Sequence, residues 1–64
     1  MDDMDVRIGP DPSLLLVDDD EIFVTRLARA MEKRGFRTET SLTVAGAMRL
    51  IEKRAPAYAV FRRP

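Results

Sequence analysis

The stretch Leu14–Glu21, LLLVDDDE, joins four aliphatic residues directly to four acidic ones. A strand with one face in water alternates apolar and polar residues. The unbroken run Leu14–Val17 therefore indicates a short strand buried on both faces, as in a parallel sheet. The carboxylates that follow repel one another and favour water over an apolar strand end. A cation site, the start of a helix and an ordinary charged surface are the three explanations open at this point.

The residues after this junction predict an amphipathic helix. Asp19 or Asp20 is suited to cap its start, and Gly35 is a natural stop. The apolar stripe of this helix has four-residue spacing and consists of Phe23, Leu27 and Met31, flanked by Val24, Ala28 and Ala30.

A second helix and two further strands follow. Residues 36–40, FRTET, alternate as a less buried strand, and Ala57–Phe61 is a third apolar run with strand character. Between them, Thr43 is expected to cap a helix that ends near Arg54, because Pro56 follows closely. Its predicted apolar face consists of Val44, Ala47, Met48 and Ile51.

The resulting order, β-α-β-α-β, predicts an α/β fold with parallel strands joined by right-handed crossovers. A chain of 64 residues has room for one small domain, and it has no cysteine to stabilise that domain with a disulfide. We expect residues 1–13, which are acidic and rich in proline, to form a disordered leader.

The composition of the chain argues against several classes of function. Residues 1–21 carry eight acidic side chains and one arginine, whereas residues 22–64 carry ten basic and three acidic ones. The basic residues are scattered along helix-like segments, so we expect solvated faces and no direct contact with nucleic acid. Apolar runs are too short to span a bilayer and the acidic start is unlike a secretory signal, so a cytoplasmic protein without membrane contact is expected. The absence of histidine and cysteine excludes a Cys/His zinc site.

The acidic residues at the strand end suit a hard cation. In open parallel sheets, ligands gather at the carboxyl ends of strands, and Mg²⁺ takes one or two carboxylates together with water or phosphate oxygens. Helix capping explains Asp20 and Glu21 without a metal but explains Asp18 less well. The spacing does not fit an EF-hand loop, and the sequence has no phosphate-binding loop motif. A weak alternative is a phosphatase-like enzyme of the haloacid-dehalogenase type that uses Asp18 and Asp20.

The stretch Ser13–Val60 resembles the first half of a response-regulator receiver domain, and its sequence is similar to that of the RegA/PrrA/ActR group of two-component regulators. The junction LLLVDDDE and the segment GAMRLIEKRAPAYAV carry this resemblance. It implies an incomplete doubly wound, flavodoxin-like fold with strand order 2-1-3. It further implies a sensor histidine kinase as partner and Mg²⁺ in an acidic pocket formed by Asp18 and Asp19. Asp19 would be the direct ligand, Asp18 would act largely through water, and Asp20 would cap the helix.

The resemblance breaks after Val60. Where the group has its phosphoacceptor aspartate, this chain has Arg62, which cannot accept a phosphoryl group in this chemistry. We therefore expect a partial receiver domain at residues 14–61, truncated and followed by an aberrant end at residues 62–64. No catalytic residue, no DNA-binding region and no phosphorylation are expected, and the parent regulator's transcriptional role would be inherited only by resemblance. Two hypotheses follow: Arg62 reaches Asp18 or Asp19 in place of the metal, and residues 21–34 still bind the kinase.

Overall fold

The computed structural model describes residues 9–62 and confirms the predicted α/β order. The elements are β1 (Ser13–Val17), α1 (Glu21–Lys33), β2 (Arg37–Ser41), α2 (Val44–Lys53) and β3 (Tyr58–Phe61). Each strand boundary lies within one residue of its sequence-based prediction. The predicted disordered leader falls largely on residues 1–8, and the predicted aberrant end on residues 63 and 64; both of these stretches lie outside the described residues.

The three strands form one parallel sheet in the order β2-β1-β3, as the resemblance implied. In this register Val17 lies between Ser41 on one side and Phe61 on the other. Backbone hydrogen bonds continue one residue past the strand ends, because Asp18 N donates to Ser41 O and Arg62 N donates to Val17 O, each at 3.1 Å. The register therefore sets Asp18 and Arg62 side by side.

The central strand β1 is covered on both faces, which explains its unbroken apolar run. Leu14 and Leu16 pack beneath α1, whereas Leu15 and Val17 pack beneath α2. All four are buried. The α1 side of the core also contains Val24, Ala28 and Phe36, with Leu27, Met31 and Tyr58 packed around it.

The predicted apolar face of α2 is partly wrong. Ala47 is fully buried, and Leu50 and Ile51 pack beside it, but Val44 and Met48 are 62% and 50% exposed. Successive helix residues are rotated by about 100°, so Met48 lies well away from a face centred on Ala47. Val44 is the first helical residue and follows the carboxyl end of β2, where the sheet beneath it is ending.

The helix ends follow the capping signals in the sequence. Asp20 caps α1 by accepting a hydrogen bond from Phe23 N, and Thr43 caps α2 by accepting one from Gly46 N, each at 3.0 Å. Gly35 has a φ of 98°, the left-handed conformation expected for a helix stop. With 13 and 10 residues, neither helix has the length or the apolar character needed to cross a membrane.

Candidate functional site

The candidate site lies where β1 and β3 end. Because side chains alternate between the two faces of a strand, Asp18 continues the face of Leu14 and Leu16, beneath α1. This arrangement places the Asp18 carboxylate close to the first turn of α1 and beside Arg62. The register of β1 against β3 and the alternation of side chains along each strand together bring these two opposite charges close to each other.

Asp18 is a buried carboxylate, with only 5% of its surface exposed. Its Oδ1 accepts a hydrogen bond from Asp20 N at 3.0 Å, which ties the turn before α1 to the strand end. Its Oδ2 lies 2.5 Å from Arg62 Nε. The N–H of that nitrogen is not aligned for a hydrogen bond, so within residues 9–62 Oδ2 has charge compensation without a hydrogen-bond donor.

The Arg62 guanidinium has three neighbours in the site. It pairs with Asp18, it lies 4.0 Å from Asp20 Oδ2, and its central carbon is 4.1 Å from the centroid of the Phe23 ring. The last distance is typical of a cation–π contact. The hypothesis that Arg62 reaches one of the two pocket aspartates is confirmed, and the structure selects Asp18.

The predicted pocket residue Asp19 is exposed, unlike Asp18. Both aspartates border a cavity of about 460 Å³ at this end of the sheet. The residues that line it are Val17, Asp18, Asp19, Leu42, Val44, Phe61 and Arg62. The cavity thus joins the acidic site to an apolar surface formed by the ends of β3 and the start of α2.

The donor set does not fit Mg²⁺ as the side chains stand. Mg²⁺ requires oxygen ligands that are free to meet it, whereas both oxygens of Asp18 are engaged, one by Asp20 N and the other by Arg62. The fixed positive charge of Arg62 also repels a divalent cation. Among the described residues, no three acidic side chains converge on a point where an ion could be held. Binding of Mg²⁺ by Asp18 and Asp19 stays a prediction of the resemblance alone, and it would require Arg62 to leave Asp18.

The pair proposed for a phosphatase-like enzyme, Asp18 and Asp20, is also engaged. Asp20 is an extended residue that caps α1 through Oδ1, the role predicted for it from the sequence. Its Oδ2 lies 4.0 Å from Arg62. Both carboxylates thus face the same guanidinium.

Phe23 is the site residue that sequence reasoning missed. The four-residue spacing places it on the apolar stripe of α1, but its ring receives the Arg62 guanidinium and is only half-buried. The available signal was its position three residues after the helix cap, which places it in the first turn, above the strand end. That signal becomes meaningful only when the position of Arg62 is known.

Three parallel strands in the order β2-β1-β3, with one helix on each face, define an α/β protein with an incomplete flavodoxin-like fold. Over 54 residues the chain is 64% identical to the photosynthetic apparatus regulatory protein RegA of Rhodobacter capsulatus, covering 84% of this chain and 29% of that protein. RegA of Rhodovulum sulfidophilum is 58% identical over 94% of this chain and 33% of its own length. The acid tolerance regulatory protein ActR of Sinorhizobium medicae is 55% identical over 83% of this chain and 27% of its own length.

The chain is therefore homologous to part of the RegA and ActR regulatory proteins, which confirms the resemblance seen in the sequence. It spans 27–33% of the length of these three relatives. Neither a protein-family model nor a solved structure matches it.

Proposed function

We propose that this chain is a regulatory binding module that contacts a sensor histidine kinase and accepts no phosphoryl group from it. Its homology to RegA and ActR supports a regulatory role. The observation that carries the finer proposal is the ion pair between Arg62 and Asp18, at the strand end where the resemblance leads us to expect a phosphoacceptor carboxylate. No chemical step by the chain itself is required by this function, and neither nucleic acid nor a membrane is a partner in it. The setting is the cytoplasm.

The chemistry of position 62 supports the absence of phosphoryl transfer. Transfer to an aspartate requires a free carboxylate oxygen as nucleophile and a cation to balance the phosphoryl oxygens. A guanidinium remains protonated at any physiological pH and offers no nucleophile. Asp18 is buried, and its oxygens already have partners.

The first turn of α1 is the surface that we assign to kinase contact. Ile22 is 70% exposed in this turn, the highest exposure among the large apolar residues of the described chain. It lies next to the acidic turn formed by Asp19 and Asp20. An exposed apolar side chain beside charged residues resembles the centre and rim of a protein interface.

The proposal is tested by mixing the chain with an autophosphorylated histidine kinase that is cognate to a RegA or ActR relative. We expect a complex in a pull-down and no radiolabelled phosphoryl group on the chain. Ile22→Arg should weaken capture, while Met48→Arg, the matched change at an exposed methionine on α2, should not. The proposal would be contradicted if the kinase failed to capture the unmutated chain, or if the chain became radiolabelled.

The phosphatase-like alternative is separated by a second assay. Hydrolysis of acetyl phosphate or of a phosphomonoester by the chain, lost in Asp18→Asn, would favour an enzyme over a binding module. We expect no hydrolysis above the rate without protein, because both candidate carboxylates are engaged with Arg62 or the backbone.

A further inference from the structure

We infer that Arg62 is the resident cation of the acidic site and keeps divalent cations away from Asp18 and Asp19. The site thus carries its own intramolecular counterion. Exclusion of divalent cations by Arg62 does not depend on kinase binding.

The burial of Asp18 makes a counterion necessary. A carboxylate that is 5% exposed loses most of its hydration, and a charge in that environment is tolerated only when it is paired. One oxygen receives the Asp20 amide, but the other has no hydrogen-bond donor among the described residues. Arg62 supplies the missing positive charge at 2.5 Å.

Three features hold the Arg62 guanidinium in this position. The backbone hydrogen bond from Arg62 N to Val17 O fixes the start of its side chain beside the end of β1. The Phe23 ring provides a cation–π surface at 4.1 Å. Asp20 adds a second negative charge at 4.0 Å. Arg62 is therefore already in place, held by backbone pairing, an aromatic ring and two carboxylates. A metal ion has to compete with it for Asp18.

The competition between Arg62 and a divalent ion predicts whether a substitution at position 62 raises or lowers the affinity for Mg²⁺. A divalent ion that binds Asp18 has to displace the guanidinium or share the carboxylate with it, and like charges at such short distances repel each other strongly. Removal of the Arg62 charge should therefore increase the affinity of the site for Mg²⁺. Lysine at position 62 should keep most of the exclusion, because it keeps the charge.

The test is a calorimetric titration of Mg²⁺ alone into the unmutated chain and into Arg62→Gln. We expect Arg62→Gln to bind Mg²⁺ at least about tenfold more tightly than the unmutated chain. Arg49→Gln is the matched control, since it removes one exposed arginine on α2 that is not among the residues lining the cavity at the strand ends, and it should leave Mg²⁺ affinity unchanged. Equal affinities in the unmutated chain and Arg62→Gln, or no measurable binding in either, would overturn the inference.

A second measurement covers the case in which Arg62→Gln does not fold. In the unmutated chain, the nearby Phe23 ring and Asp18 carboxylate should displace the Arg62 Nε–Hε resonance from the position of a solvated arginine, and the resonance should stay unchanged when Mg²⁺ is added in millimolar excess. A saturable shift of this resonance toward the position of a solvated arginine would show that Mg²⁺ displaces the guanidinium and would refute the inference. Because no kinase is present, either result leaves the proposed function to be judged on its own test.

Discussion

Asp18 and Arg62 form an unequal pair at the scale of single residues. The side chain of Asp18 is 4% exposed, whereas that of Arg62 is 46% exposed. Loss of the arginine leaves a charged carboxylate buried without a counterion, but loss of the carboxylate charge leaves an arginine that can turn into water. The two substitutions should therefore differ in cost, although they break the same contact.

We predict that Arg62→Gln lowers the free energy of unfolding by about 3 kcal/mol, the cost typical of an uncompensated buried charge. Asp18→Asn should lower it by only about 1 kcal/mol, because the amide keeps the shape and one acceptor oxygen. The double variant should recover much of the loss seen in Arg62→Gln. Urea unfolding of the four proteins measures these differences, and equal costs for the two single variants would refute the explanation by burial.

At the scale of elements, the start of α2 explains a glycine that helix propensity alone disfavours. A Cβ on Gly46 would lie 2.7 Å from Ser41 Oγ and 3.0 Å from Thr43 Oγ1. The hydroxyl of Ser41 donates to Thr43 O at 2.8 Å, and that of Thr43 caps the helix. Glycine at this position keeps the cap intact, and this benefit outweighs its weak helix propensity.

We predict that Gly46→Ala destabilises the protein by about 1 kcal/mol, the size of a lost cap, although alanine in a helix normally gains about 1 kcal/mol over glycine. Thermal unfolding checks the sign. Ala45→Gly, at the neighbouring exposed position, is the control and should show the ordinary loss that glycine causes.

The double variant Ser41→Ala/Gly46→Ala isolates the cause. Alanine at position 41 removes the closer of the two oxygens, so the double variant should be more stable than Gly46→Ala alone. A Gly46→Ala protein more stable than the unmutated chain would show that the short distances relax without cost.

At the scale of the whole molecule, the three strands of the sheet differ in how well they are covered by other parts of the chain. The central strand β1 is buried on both faces, whereas β2 and β3 are the edges of the described sheet. On β3, Val60 and Phe61 are 44% and 47% exposed, and Leu42 and Val44 are exposed nearby around the cavity. An open strand edge with apolar side chains favours pairing with another chain.

We predict that the chain is marginally stable, unfolds over a broad temperature range and self-associates as its concentration rises. Val60→Lys should reduce the association, because a lysine on an edge strand opposes strand pairing. Thr40→Lys is the control, at the matching position opposite Leu16 on β2, and it should leave association largely unchanged because the exposed side chains of that edge are already polar. Light scattering over a concentration series measures association. A monomer with a sharp, cooperative thermal transition would contradict this prediction.

The fold was predictable because its signals are local. The unbroken run of β1, the cap at Asp20, the stop at Gly35 and the alternation of helices and strands each depend on neighbouring residues, and the structure places all of them as expected. The face of α2 was predicted less well. Periodicity defines a stripe but does not determine how far the sheet extends beneath it, so the predicted apolar face includes Val44 and Met48, which the structure leaves exposed.

The sequence by itself determined the parallel α/β class, the position of the acids at a strand end and the presence of an arginine where a carboxylate was expected. Only the tertiary structure decided that Arg62 pairs with Asp18 rather than Asp19 and rests on Phe23. The physical reason is that these partners are far apart along the chain. The register of β1 against β3 and the placement of α1 over one face of the sheet bring them together, and both are properties of the packed chain.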